Sequence, residues 1–248
     1  MARILKEEKY PNGSFKSRET ELHGQPGNQV ILKEGWYRPE VDPLDPDAQQ
    51  LYGQREHKWN FVNGQKHGVQ ETWYDNGQRE HKENYVNGQK HGVQEGWDED
   101  GQQQYKENYV NGQYHSVQES WYENGQQAYK WNYANGQKHG VQEYWYENGQ
   151  QEHKWNFVNG QQHGVQEAWN ENGQQRYKEN YLNGQQHGVQ EYWYRDGQQK
   201  DNKYYLDGVE KSQQAYQSYI RGLAPKIQAA ADFGERGLSG IIAGYLLP

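Results

Sequence analysis

Glycine recurs through this chain in a fixed rhythm of 11 and 13 residues. Gly53, Gly64, Gly77, Gly88, Gly101, Gly112, Gly125, Gly136, Gly149, Gly160, Gly173, Gly184, Gly197 and Gly208 form the series without a slip. Asn precedes ten of them and Asp three, with Tyr52 before Gly53. Asn-Gly and Asp-Gly favour the positive φ angles of tight hairpin turns, so each pair is read as a turn. The summed period of 24 residues is then one hairpin of two strands, and a period in this range signals a repeat architecture. Near-identical units offer no unique pocket. Such an array is expected to act by display or binding along a surface.

Composition narrows the sheet. Only 31% of the chain is hydrophobic, yet it holds 22 Tyr and ten Trp. Aliphatic side chains are too few to fill a thick sandwich core. Aromatic rings bury large areas each and can cover the faces of a thin sheet. An aromatic content of 15% and turns at fixed intervals argue against disorder, whose sequences are poor in aromatics. The chain has no cysteine, which excludes disulfides and thiolate metal sites and leaves the compartment undetermined. The opening M-A-R-I-L-K-E-E-K-Y lacks the apolar run of a secretory signal. No stretch approaches the ~20 apolar residues that span a bilayer. The expected location is cytoplasmic or virion-associated. Net charge is −8, and residues 53–196 hold 13 Lys plus Arg against 20 Asp plus Glu, or −7. That balance disfavours nucleic acid and anionic lipid as partners.

Six units fill residues 53–196 with the consensus G-Q-Q-x-[HY]-K-[WE]-N-[YF]-V-N-G-Q-K-H-G-V-Q-E-x-W-Y-E-N. A seventh begins at Gly197 and decays after Asp207-Gly208. A divergent unit precedes them, with Asn12-Gly13 and His23-Gly24 at the 11-residue interval and Glu34-Gly35-Trp36-Tyr37 matching Glu95-Gly96-Trp97-Asp98. A proline-rich acidic insert at 38–51 reads as a loop. Three parts follow: 1–52, a divergent N-terminal repeat or cap; 53–208, the array; and 209–248, a cap or docking segment. Ala215, Tyr216, Tyr219, Ile220 and Leu223 fall at helical spacing. Pro225 is expected to end that helix, with a second helical piece over Ile227 to Phe233. The apolar stretch from Gly237 to Pro248 is expected to cover the edge of the last hairpin, or to dock on a partner or a second copy. The predicted fold is all-β: an elongated single-layer antiparallel meander of about seven to eight hairpins with a short α-helical C-terminal segment.

Several residue types recur in register. His67, His91, His115, His139, His163 and His187 are one row. Successive units lie ~9.6 Å apart, too far for two row neighbours to ligate one metal ion, so the row is read as shaping strand entry. No cofactor or metal is expected. Lys58, Lys82, Lys106, Lys130, Lys154 and Lys178 form a second row, and Glu71, Glu95, Glu119, Glu143, Glu167 and Glu191 a third. A plain two-residue turn would place Lys58 opposite Val69 with Glu71 diagonal to it, a structural charge ladder. Trp73, Trp97, Trp121, Trp145, Trp169 and Trp193 form a further row. Phe61, Tyr85, Tyr109, Tyr133, Phe157 and Tyr181 form another. Both stack along the sheet, and Trp73, Trp97, Trp121, Trp145, Trp169, Trp193, Tyr85, Tyr109, Tyr133 and Tyr181 are the candidate binding face. The Trp/Glu alternation at 59, 83, 107, 131, 155 and 179 is expected to be exposed. No phosphate loop and no activated nucleophile is present, so no enzyme activity is expected.

The run Asn-Gly-Gln-Lys-His-Gly-Val-Gln-Glu-Tyr-Trp-Tyr-Glu-Asn-Gly at 135–149 resembles the MORN repeat in its variant form. The resemblance covers 53–208 well and 10–37 weakly. It implies an antiparallel array of hairpins, one per repeat, and a role in protein–protein contacts, scaffolding or dimerisation. Some members are linked to acidic phospholipids, which the charge here disfavours. Similar arrays occur in bacterial antitoxin-like proteins and in large DNA viruses. Ser116 departs from the family glycine and Asp98 from its tyrosine, so the third and second units are expected to be locally irregular. The leading expectation is a non-enzymatic scaffold that binds protein partners or itself. Carbohydrate binding and antitoxin-like inhibition are the alternatives.

Overall fold

The two kinds of Asn-Gly in each repeat build different turns. In the computed structural model, which describes residues 2–9, 15–22, 29–36 and 54–232, Asn63 and Gly64 both take positive φ, at 49° and 77°. This is the two-residue type I′ hairpin, whose twist matches that of the flanking strands. Five further Asn-Gly pairs and Asp207-Gly208 repeat it. At Asn76-Gly77 only the glycine is left-handed, at 85°. Gly77 N–H donates to Tyr74 O at 3.0 Å, and Asn76 Oδ1 accepts from Gln78 N–H at 2.8 Å. That is a longer turn closed by a left-handed glycine, with the Asn side chain bonding locally. The expectation of a tight positive-φ pair at every site is thus corrected at every second one.

A second correction concerns register. Phe61 pairs Lys66 and Val62 pairs Gln65, as a two-residue turn requires. Lys58, however, pairs Glu71 directly rather than Val69. Phe61 to Lys58 is three steps, whereas Lys66 to Glu71 is five, so the return strand carries two extra residues. His67 and Gly68 supply them, Gly68 at φ 77°. This is a double bulge, repeated in each unit.

The chain divides into two compact units, residues 1–127 and 128–248. In the first, Arg3–Lys9, Phe15–Leu22 and Val30–Trp36 form three antiparallel strands. Val30–Trp36 then pairs with Arg55–Val62. Three hairpins follow, each with a long leading strand (Arg55–Val62, Arg79–Val86, Gln103–Val110), a two-residue strand after the turn, and a return strand (Gly68–Trp73, Gly92–Trp97, Ser116–Trp121). The second unit repeats this with leading strands Gln127–Ala134, Gln151–Val158 and Gln175–Leu182, and return strands Gly140–Trp145, Gly164–Trp169 and Gly188–Tyr192. It closes with Lys203–Leu206, Val209–Lys211 and a helix. Within each unit, the described strands form an open antiparallel sheet of consecutive hairpins, as expected for an all-β meander.

The helix runs unbroken from Gln213 to Asp232, so Pro225 lies inside it and Ile227 to Asp232 continue the same helix rather than starting a second. Proline removes one backbone hydrogen bond from a helix. Good helix formers flank it on both sides, and the helix carries through. Ser212 caps the start, its hydroxyl accepting from Ala215 N–H at 3.2 Å. Tyr216 then packs on Tyr204, ring centroids 5.4 Å apart. Asn12-Gly13, His23-Gly24, Gly53, the 38–51 insert and the apolar stretch from Gly237 to Pro248 lie outside the described residues.

Candidate binding faces

The core of each repeat is a glutamine. Gln70, Gln94, Gln118, Gln142, Gln166 and Gln190 are at most 2% exposed. The double bulge opens a gap between strands, and the glutamine amide fills it. Gln94 Oε1 accepts from Asn84 N–H at 3.0 Å, and its Nε2 donates to Asn84 O at 2.9 Å. The side-chain amide thereby replaces a peptide group in the ladder and satisfies backbone groups that would otherwise be buried without partners. Asn84 reciprocates, its Nδ2 donating to Val93 O. Gln142 is the exception: its Nε2 bonds Asn132 O at 2.8 Å, but its buried Oε1 has no partner. The sequence showed these glutamines as a row. The signal that marks them as core is their constant offset from the left-handed bulge position, glycine in every case but Ser116, always two residues on.

The histidines tie one turn to the next. His67 Nδ1 accepts from Asn87 N–H and His91 Nδ1 from Asn111 N–H, both at 3.4 Å. The type I′ turns are also joined directly, Gly88 N–H donating to Lys66 O at 2.9 Å. The same bond recurs at His139, His163 and His187, so the row staples turns. At Asp98, the tyrosine link found elsewhere is lost. Tyr74 and Tyr146 donate from their hydroxyls to Trp97 O and Trp169 O at 2.9 Å, whereas Asp98 turns inward and accepts from Gln102 N–H at 2.8 Å. Ser116 keeps the left-handed conformation of the glycine it replaces, at φ 64°. The bulge survives, and Gln118 keeps both bonds to Asn108.

Strand alternation divides the rows between two faces. On one face, the ladder face, Glu7, Arg18, Glu34, Lys58, Glu71, Lys82, Glu95, Lys106 and Glu119 lie opposite one another in succession, alternating in sign throughout the first unit. Lys130, Glu143, Lys154, Glu167, Lys178 and Glu191 do the same in the second. The Trp73 to Trp193 row lies on this face, two residues on from the ladder glutamates. The Phe61 to Tyr181 row lies on the other, glutamine-bearing face. The ten candidate residues therefore form two separate surfaces rather than one, because an odd residue count along the pleat reverses the side.

The glutamine face also carries position 59 and its equivalents, which are half-buried, not exposed. Where glutamate occupies it, tyrosine hydroxyls converge. Glu107 accepts from Tyr109 and Tyr114, each at 2.9 Å. Glu83 takes Tyr85 at 3.2 Å and Lys90 at 3.2 Å. Glu179 takes Tyr192 at 2.7 Å. Burial, aided by the Glu83 charge, pushes the Tyr85 hydroxyl up to about 12. Where tryptophan occupies it, rings pack together. Trp131 stacks on Tyr129 at 3.8 Å, and Tyr144 lies against Trp131, His153 and Trp155 at 5.5, 5.9 and 5.1 Å. Lys138 Nζ sits 5.4 Å from both the Trp131 and Phe157 ring centres, and burial pulls its ammonium pKa down. The Trp155 indole N–H donates to Tyr177 at 3.1 Å, while that of Trp131 is buried without a partner.

No group of three or more metal-ligating side chains occurs among the described residues, and no helix among them is long and apolar enough to cross a membrane. A comparison with curated proteins gives no match. The family model for the MORN repeat variant matches residues 66–87, 90–111, 138–159 and 162–183. Each matched segment runs from the double bulge through the longer turn to the next type I′ asparagine, so the matches fall on the structural unit described above. Residues 66–183 thus carry four repeats of the MORN variant type, which indicate a repeat-based structural or binding protein.

Proposed function

We propose that this protein is a non-enzymatic scaffold that binds protein partners through the glutamine face, with the Trp131–Tyr144–Trp155 cluster as the contact centre. The observation that carries this reading is the division of labour within the repeat. Asparagine, glutamine, histidine and the bulge glycine are consumed in holding the backbone. Position 59 and its equivalents alternate freely between glutamate and tryptophan on the same backbone. A position free to vary inside a fixed frame is where a repeat protein sets its specificity, and clustered half-buried aromatics are typical interface anchors. Carbohydrate binding fits less well, because Trp131 already stacks on Tyr129 within the chain. Antitoxin-like inhibition would be one form of the same partner binding.

The test is a pull-down with the intact chain beside the double variant Trp131→Glu, Trp155→Glu. Glutamate is the natural occupant of this position in three sibling repeats, so the variant keeps the frame. Loss of the captured protein, with far-UV circular dichroism unchanged, supports the reading. Equal capture by both proteins refutes it, and binding on a glycan array with no protein captured moves the function to carbohydrate.

A further inference from the structure

On the ladder face of the first unit two slots are filled by the chain's own arginines, with Gln103 in the third such position, and the matching slots of the second unit hold glutamine. In the first unit, Arg79 lies between Glu71 and Trp97. Its Nη2 is 3.0 Å from Glu71 Oε1, and its guanidinium carbon is 5.7 Å from the Trp97 ring centre. Arg55 repeats this between Glu34 and Trp73, at 2.9 and 5.5 Å. A carboxylate and an indole face set one repeat apart thus form a guanidinium site, combining a charge-assisted hydrogen bond with a cation–π contact. In the second unit the arginine position holds Gln151 and Gln175. Each reaches its glutamate at only 3.4 Å, Gln151 to Glu143 and Gln175 to Glu167. Glutamine has neither the charge nor the length to lie over Trp169 or Trp193. Lys154 stands in ladder register with both glutamates, yet among the described residues neither glutamate has a cation within 4.0 Å.

We propose that the ladder face of the second unit binds an arginine-bearing, extended segment of a basic protein partner, whose guanidinium groups enter the Glu143/Trp169 and Glu167/Trp193 slots. This rests on the reading of the array as a protein-binding surface and names the chemistry of one partner. The charge is acidic here too: residues 128–196 hold six Lys plus Arg against eight Asp plus Glu, or −2, and both open slots present a carboxylate. The spacing fits too. Slots recur every two strands, ~9.6 Å, and a polyproline-II-like extended segment advances ~3.1 Å per residue with three residues per turn, so arginines at i and i+3 lie on one side, ~9.3 Å apart, and match consecutive slots. Lysine fits less well, because its compact, strongly hydrated ammonium cannot stack on a ring while bonding a carboxylate as the planar guanidinium does.

The experiment uses the full chain and a neutral serine-rich peptide with two arginines three residues apart, followed by tryptophan fluorescence at 0.15 M salt. Controls are the same peptide with lysines and one with the arginines adjacent. The decisive variant is Gln151→Arg, Gln175→Arg, which closes both slots from within as Arg55 and Arg79 do in the first unit. The expected result is arginine-peptide binding that weakens about tenfold in this variant, the loss of two cation–π contacts, and is similarly weaker for both control peptides. Trp169→Leu, Trp193→Leu should weaken it comparably, guarding against a misfolded arginine variant. Equal binding to the wild type and both variants, equal binding of the lysine peptide, or no binding of the arginine peptide would overturn the proposal. Capture of a partner through the Trp131 and Trp155 face is read separately, so failure here leaves the scaffold reading standing.

Discussion

The Glu83–Glu107 stretch of the first unit and the Trp131–Trp155 stretch of the second are built on one frame and display opposite chemistry. Both keep the double bulge and the buried glutamine. Both keep the alternating ladder. They differ at one position per leading strand and at the residues that answer it. Glu107 gathers the hydroxyls of Tyr109 and Tyr114, while Trp131 and Trp155 gather Tyr144 and Lys138. The position opposite His57-type residues adjusts as well. It is Gly96 beside Tyr105, where an added Cβ would lie 2.2 Å from the ring, and Tyr144 beside His153. Folding and display are therefore carried by different residues of the same 24, and a change in one need not disturb the other.

The frame should break first at the glutamine. Gln94→Ala would leave Asn84 N–H and C=O without partners in a buried gap. Unmet buried backbone groups cost ~1–3 kcal/mol each, so a loss of ~2–6 kcal/mol is expected in urea titration. Gln142→Ala should cost less, since Gln142 makes one of the two Asn132 bonds. Equal losses at the two sites would show that the glutamine acts by filling volume and not by replacing a peptide group.

The display positions should exchange at lower cost. Trp155→Glu removes the Trp155–Tyr144 contact and the indole bond to Tyr177, and is expected to destabilise by ~1–3 kcal/mol, the range for losing a buried apolar side chain. The reverse change, Glu107→Trp, should be milder still, but it orphans two tyrosine hydroxyls. If either swap proved as damaging as the loss of Gln94, the separation of frame from display would be wrong.

Much of this was legible in the sequence. The 24-residue hairpin follows from Asn-Gly spacing alone, and the Lys/Glu ladder from two rows in step. The pairing register was not legible, because it depends on the two residues His67 and Gly68 that enter the return strand. Two extra residues leave the alternation in phase but slide the pairing, which is why Lys58 meets Glu71. Gln70 looks like any surface glutamine until the gap it fills is seen. The sequence also made each Asn-Gly equivalent, although Asn76 bonds Gln78 N–H where Asn63 takes a left-handed angle. Pro225 read as a stop, since a local rule does not register the helix formers on either side.

Alkaline titration should separate the two stretches by cause. The hydroxyls of Tyr85, Tyr105 and Tyr144 are each held up to about 12, by burial first in every case. The unfolded chain releases these protons near 10, so between about 10 and 12 the folded state holds more protons and stability falls as pH rises. Below 10 this contribution is fully present. Glu83→Gln should bring the Tyr85 transition to lower pH and leave that of Tyr144 where it was, measured by tyrosinate absorbance.

Within the tryptophan stretch, Trp131 and Trp155 differ by one hydroxyl. Tyr177 accepts the Trp155 indole N–H, and its counterpart beside Trp131 is His153. His153→Tyr would offer Trp131 the same acceptor. A net ~1 kcal/mol gain is expected, the ordinary worth of a hydrogen bond that satisfies a buried donor. An unchanged denaturation midpoint would mean that the Trp131 N–H is met by solvent in solution.

The smallest effect is expected at Ser116, the residue that holds a glycine's conformation without being one. A non-glycine residue in the left-handed region costs ~1–2 kcal/mol. Glycine would remove that cost but adds unfolded-state freedom worth ~0.5–1 kcal/mol. The two nearly offset, leaving Ser116→Gly stabilising by ~0.5 kcal/mol and raising the thermal midpoint by ~1–2 °C. The reverse change at Gly140, φ 77°, should lower it by a similar amount, since the bulge is the same in both stretches. Opposite shifts of matched size would show that the double bulge is one interchangeable part. A larger loss at Gly140 would locate in the Trp131 repeat, where Gln142 Oε1 is already unmet, a frame with less tolerance to spare.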